Sequence, residues 1–368
     1  MKSIYNSIAK IGYKTKAAFS GVTDIVVVDQ GNDNYSSTPF NVKFGKLKFQ
    51  NEKQEILTEI LHIREQSVIK QIKLIKIELE INGVQRDDIQ FYLDDDQIGH
   101  FAYHEEEDII ELKQIYHNQN KQNQNQQKQQ EIKLSNLSQY IVLSRVPINK
   151  TIISMKLNNG INRLIFNVNC KRLGLQQIEC ELYKIEQNQK IFISDIDGTI
   201  TKSPTKGMIM STFGKNYTQD YICQFYSKLV EKNYLILYMS ARSMVQYEKT
   251  KEYLLRQFQD EIQLPFGPLI LSPSKLFEAF TIEVIKKQTD ILKSEMLNDL
   301  IYSIGITGTI QGGMGDKKND IEAYKMVNIN QNRILRINKK GELLRVNEEN
   351  KQEQYTMKEF IQKIDEIF

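Results

Sequence analysis

The apolar positions of the chain fall into two rhythms. Through the first half, short runs rich in β-branched residues recur at 24–29, 39–44, 74–81, 151–157, 163–169 and 177–183, and each predicts a strand. From about residue 190 onward, apolar runs alternate with stretches of helical period at 244–259, 275–288 and 320–327. That alternation predicts an α/β domain with a doubly wound parallel sheet. Residues 114–130 break the first rhythm, being Gln, Asn, Lys and His with almost nothing apolar, and they predict a disordered insert. The economical reading pairs the strands on either side of the insert into one immunoglobulin-like β-sandwich. Expected boundaries are therefore a helix at 1–19, half of the sandwich at 20–112, the insert at 113–132, the completing strands at 133–188, and the α/β domain at 189–368.

Residues 1–19 carry a third pattern. At about 100° per residue, Ile4, Ile8, Ile11, Ala18 and Phe19 share one face while Lys2, Lys10, Lys14 and Lys16 fall elsewhere. An apolar stripe beside basic residues suits an anionic membrane surface; the same stripe also suits packing onto the protein's own core. Gly12 weakens the helix in isolation, which fits folding on contact with lipid.

The chemistry concentrates in Asp195-Ile196-Asp197-Gly198-Thr199-Ile200-Thr201, which follows the apolar run Ile191-Phe192-Ile193. A buried parallel strand ends here, and Gly198 turns the chain where α/β folds place their sites. Two carboxylates at a strand's end can address one ligand. The pattern suits phosphoryl transfer, with Asp195 attacking phosphorus and Asp197 protonating the leaving oxygen, then activating water. Taken alone, the stretch is also compatible with an acidic loop.

Further motifs follow in an order that resembles the haloacid dehalogenase superfamily. The strand Leu235-Ile236-Leu237-Tyr238-Met239 ends in Ser240, Lys293 sits in Ile291-Leu292-Lys293-Ser294, and Gly312-Gly313-Met314-Gly315-Asp316 leads to Asp320. The resemblance implies an HAD-like Rossmannoid catalytic domain. In it, Gly198, Thr199, Ser240 and Lys293 hold the phosphoryl group. Asp195, Asp197 (through its main-chain carbonyl) and Asp320 or Asp316 hold Mg2+. An acid at position 197 points to a phosphatase or phosphomutase.

The wording around the motifs is similar to one family, the lipins. It is carried by residues 193–203, by Tyr238-Met239-Ser240-Ala241-Arg242-Ser243, and by Leu264-Pro265-Phe266-Gly267-Pro268-Leu269-Ile270-Leu271-Ser272-Pro273. The segments 20–28 and 37–47 continue it toward the amino terminus. The resemblance implies a Mg2+-dependent phosphatidate phosphatase, converting phosphatidic acid in anionic membranes to diacylglycerol and phosphate. It also implies a cytoplasmic protein peripherally bound to membrane, at the endoplasmic reticulum or nuclear envelope, with Ile4, Ile8, Ile11, Lys10 and Lys14 in contact with lipid. Three departures stand out: Asp316 where lipins usually have Asn, Lys317 where they usually have Arg, and no Trp anywhere. Arg242 is left open between substrate contact and a structural ion pair. The rival functions are a phosphatase for a soluble phosphomonoester or phosphoprotein, and a membrane scaffold or co-regulator.

Composition adds exclusions. A net charge of +3 makes no case for a nucleic-acid partner. Cys170, Cys180 and Cys223 are too few and too irregular for a disulfide framework or a zinc site. No apolar run approaches the roughly 20 residues of a transmembrane helix, and the expectation is that the protein meets lipid from solution, without a signal peptide.

Overall fold

The structure is a computed structural model that describes residues 19–45, 47, 55–57, 72–121, 141–170, 173–202, 218–273, 297, 300, 309–346, 349 and 351–368. The chain is mixed α/β with several sheets. Backbone contacts divide it into two units, one of 1–22 and 39–181, the other of 23–38 and 182–368.

The first unit is built mainly of antiparallel strands. In one sheet Val142–Ser144, Gly99–Tyr103, Phe91–Leu93, Ile72–Lys76 and Glu55–Leu57 lie in that order. Elsewhere Gly160–Cys170 pairs antiparallel with Glu78–Ile81, which turns back into Val84–Gln85. Strands from before and after the expected insert therefore pair with each other. The core is aromatic: Phe101 meets Phe40 at 4.9 Å and Phe91 at 4.8 Å, and Phe91 meets Phe166 at 5.4 Å between ring centroids.

Two expectations fail here. The strand predicted at 151–157 is a helix, Asn149–Met155, with Ile152 and Met155 buried and Lys156 left-handed at its end. Its β-branched residues read as strand, but their spacing also places Ile152 and Met155 on one helical face, and burial decided between them. The insert expected from 113 also begins differently. A helix runs from Glu106 to Lys121, opened by Glu106, Glu107 and Asp108 and anchored by buried Ile109 and Leu112. Acidic residues in a first turn favour the helix dipole, which lets the polar tract start as helix. Residues 122–140 lie outside those described.

The second unit begins with β1 (Ile25–Asp29), a strand the sequence reading gave to the amino-terminal half, and β2 (Tyr35–Ser37), a strand it did not expect. β1 pairs parallel with residues 182–186, the end of β3 (Gly174–Glu186). The main sheet holds β4 (Lys190–Asp195), β5 (Tyr234–Ser243), β6 (Leu269–Ser272), β7 (Ile310–Gly315), β8 (Ile334–Ile337), β9 (Glu342–Val346) and β10 (Gln352–Thr356). Its order is β6-β5-β4-β7-β8-β9-β10, parallel from β6 to β8 and antiparallel beyond. Helix α1 (Ile222–Glu231) packs on β5, α2 (Tyr247–Leu255) on β6, and α3 (Lys318–Met326) on β7 and β8. The central strands are buried at nearly every position, as near-continuous apolar runs in a parallel sheet require. Their carboxyl ends converge, with Asp195 level with Met239 and Ser194 level with Met314.

Candidate active site at the strand ends

Asp195 closes β4, 1 % exposed, and the chain turns at once. The Ile196 carbonyl accepts from the amides of Ile200 (3.0 Å) and Thr201 (3.1 Å), winding the loop tightly. Gly198 sits at φ +94°, and its amide donates to Thr201 Oγ1 at 3.0 Å. A Cβ at Gly198 would lie 2.6 Å from Asp316 Cγ, so a side chain here would meet both backbone strain and a carboxylate. Thr199 Oγ1 donates to Asp195 Oδ2 at 3.1 Å and fixes the carboxylate's rotation.

Asp316 follows β7 directly, and Asp320 lies in the first turn of α3, where its Oδ2 accepts from the Lys317 amide at 3.1 Å. Gly315 makes room: a Cβ there would come within 2.6 Å of Asp320 Oδ2. Asp195, Asp316 and Asp320 each present an oxygen within 4.8 Å of the others. Pairs of like charges at that distance repel by roughly 3–4 kcal/mol at an effective dielectric near 20. An oxygen-only donor set of this kind fits a hard divalent cation.

Asp197 faces another way. Arg242 donates Nε (2.8 Å) and Nη2 to its two carboxylate oxygens, and Ser240 Oγ donates to Oδ2 at 3.1 Å. The pairing of β5 with β6 shifts register between Ser240 and Ser243, and this irregularity re-aims Ala241 and Arg242 out of the ladder. Arg242 Nη1 also donates to Thr250 Oγ1 of α2 at 3.3 Å. Of the two roles left open for Arg242, the structure shows the ion pair, made to the second Asp of the motif. Ser240, expected to hold a phosphoryl oxygen, is engaged with Asp197, so an entering phosphate would compete for that hydroxyl.

Beneath the site lie two phenols, those of Tyr226 and Tyr324. Tyr226 OH shares a hydrogen bond with Ser194 Oγ, which donates to the Asp195 carbonyl at 2.8 Å. Burial raises its ionisation far above the usual range; the Ser194 bond lowers it, and the Asp195 charge raises it further. Tyr324 donates to the Met314 carbonyl at 3.1 Å, and burial first, then the charges of Asp320 and Asp195, keeps it protonated as well. The Cys223 thiol is pushed up to about 12 by burial, which removes it as a nucleophile.

The structure thus gathers Asp195, Asp197, Gly198, Thr199, Ser240, Asp316 and Asp320 at one end of the sheet. Lys293 and the proposed lipid-contacting Ile4, Ile8, Ile11, Lys10 and Lys14 lie outside the described residues. Sequence reasoning missed Thr201 and Asp24. Asp24 had a visible signal, a charged residue between apolar Val22 and Ile25, where a solvated charge has no obvious place.

Comparison with known proteins follows the same lines. A family model described as LNS2 (Lipin/Ned1/Smp2) matches residues 143–368, and one for the lipin N-terminal conserved region matches residues 1–74. The chain is 37% identical over 221 residues to phosphatidate phosphatase LPIN1 of Homo sapiens, covering 58% of this chain and 25% of that protein. It is 35% identical over 204 residues to phosphatidate phosphatase PAH1 of Arabidopsis thaliana, covering 55% and 23%. It is 34% identical over 200 residues to phosphatidic acid phosphohydrolase 1 of Saccharomyces cerevisiae, covering 51% and 23%. The matched region spans about a quarter of the length of these relatives. With well over half of its residues under the LNS2 description and its amino terminus under the second, the chain belongs to the lipin family.

Proposed function

We propose that the protein is a Mg2+-dependent phosphatidate phosphatase acting at the membrane surface. The observation that carries this reading is the meeting of the Asp195-Ile196-Asp197 loop with Asp316 and Asp320 at the ends of adjacent parallel strands. The names of the lipin relatives supply the substrate. Asp195 attacks phosphorus, and the bond to the diacylglycerol oxygen breaks as Asp197, released from Arg242 and carrying a proton, gives that proton to the oxygen. Asp197 then takes a proton from water, whose oxygen attacks the aspartyl-phosphate, freeing phosphate and restoring Asp195. Ser240 and Lys293 bind phosphoryl oxygens, and Gly198 lets the loop backbone approach them. Asp195, the Asp197 carbonyl, and Asp320 or Asp316 would hold Mg2+. When bound, the ion supplies charge screening between carboxylate and phosphate.

The same reading takes the second unit as an HAD-like doubly wound catalytic domain and the first as an immunoglobulin-like sandwich. Residues 1–19 serve as the helix that meets anionic lipid, at the endoplasmic reticulum or nuclear envelope. No helix among the described residues is long and apolar enough to cross a membrane.

The test is phosphate release from phosphatidate in mixed micelles, with Mg2+ or with chelator, for wild type and Asp195→Asn. Release should require Mg2+ and fall at least about 1,000-fold in the variant, as removal of a nucleophile does. Absence of release from phosphatidate, with turnover of a soluble phosphomonoester, would move the assignment to the soluble-substrate reading.

A further inference from the structure

Asp24 is a fully buried carboxylate with partners from distant parts of the second unit. Lys251 Nζ lies 2.6 Å from its Oδ2, the Leu269 amide donates to the same oxygen at 2.8 Å, and Tyr247 OH donates to Oδ1. Next to it, Thr23 Oγ1 donates to the Leu269 carbonyl at 2.8 Å and accepts from the Leu271 amide at 3.1 Å. Lys251 Nζ also reaches the Gly267 carbonyl at 3.3 Å. The start of β1 is thus bonded to the start of β6 and to two side chains of α2.

This placement matters because of what else α2 carries. Thr250, adjacent to Lys251 and completely buried, accepts from Arg242, whose other nitrogens grip Asp197. A buried ion pair contributes little net stability after desolvation, so its retention is better explained by the geometry it fixes. Catalytic groups lose rate steeply when displaced by even 1 Å or so.

We propose that Asp24 is a positioning residue for catalysis, holding α2 through Lys251 and Tyr247 so that Thr250 and Arg242 keep Asp197 beside Ser240, the place from which it turns to the leaving oxygen. Residues 23 and 24, just before β1, then serve the catalytic site. The inference rests on the assignment of Asp197 as general acid.

Leaving-group dependence reads this role directly. An alkyl phosphate needs its departing oxygen protonated, whereas p-nitrophenolate departs with little help. Phosphatidate in mixed micelles, glycerol 3-phosphate and p-nitrophenyl phosphate are compared with Asp24→Asn, Thr250→Val and the double variant. Thr250→Val leaves the ion pair intact and so guards against Asp24→Asn failing to fold. Each single variant should lower kcat on alkyl esters about 10- to 100-fold, with much less loss on p-nitrophenyl phosphate and KM little changed. The double variant should be no worse than the poorer single, because both cut one path. Equal losses on all esters, tracking the folded fraction, or a Thr250→Val that matches wild type, would overturn the inference. Wild-type turnover of glycerol 3-phosphate but not phosphatidate would remove the lipid reading while leaving the comparison valid. Turnover of no ester at all would remove the role of Asp197 and this inference with it.

Discussion

The two units bury different kinds of residue, and the difference separates holding a shape from holding a site. The first closes around Phe40, Phe91, Phe101 and Phe166, rings in edge or tilted contact whose burial is stabilising in itself. The second has an apolar core too, including Val26, Ile193, Leu237 and Met239, but the ends of its strands bury Asp195, Asp320 and Arg242, with Asp24 near by in sequence to none of them. Buried charges in such number cost free energy unless paired or ligated. The second unit therefore pairs Arg242 with Asp197 and Asp24 with Lys251 and gathers Asp195 with Asp316 and Asp320, while the first has no comparable cluster among its described residues.

The sharpest way to break this comparison is to truncate the aromatic core. Phe101→Ala should destabilise the first unit by about 3–5 kcal/mol, seen as an earlier urea transition by circular dichroism. If the variant instead lost turnover without losing stability, the division of labour would be wrong. Arg242→Lys should do the opposite. A lysine cannot reproduce the two-pronged grip on Asp197, so kcat should fall about 10- to 100-fold while the melting temperature moves little. A large loss of stability with proportional loss of activity would make Arg242 a structural residue.

The smallest expected effect concerns Asp94, a polar group of the first unit. It accepts from the Ile98 amide at 2.9 Å and meets His100 Nε2 at 2.9 Å. Burial pushes its ionisation up, but the His100 contact and the amides of Ile98 and Asp96 outweigh that and hold it below the usual carboxylate range. A depressed carboxylate stabilises the fold above its unfolded pKa of about 3.9, and that contribution is lost as pH falls through the folded value. Asp94→Asn should cost about 1 kcal/mol at pH 7, and the gap to wild type should close in acid, with activity unchanged at neutral pH. A gap that persists below pH 3 would show that the amide is merely a poor fit.

Much of the candidate site was written in local sequence. A strand that must end, a glycine that must turn, and two acids around it specify the loop at Asp195–Thr201 through short-range sterics, so motif reading finds them. The alternation of strand and helix after residue 190 is equally local, because period follows from backbone geometry. The same rules misread residues 149–155, where β-branched composition outvoted a helical face, and residues 106–121, where a polar tract hid a helix with an acidic first turn. What only the tertiary structure decided are the long-range partnerships: Asp24 with Lys251, Arg242 with Asp197, and strand β1 alongside the end of β3 rather than with its sequence neighbours alone. Backbone period says which face a residue occupies, but a buried charge takes whichever counter-charge the folded core brings within reach. That choice is settled by desolvation and packing across 45 residues of chain for Arg242 and Asp197 and 227 for Asp24 and Lys251, and no short window of sequence contains it.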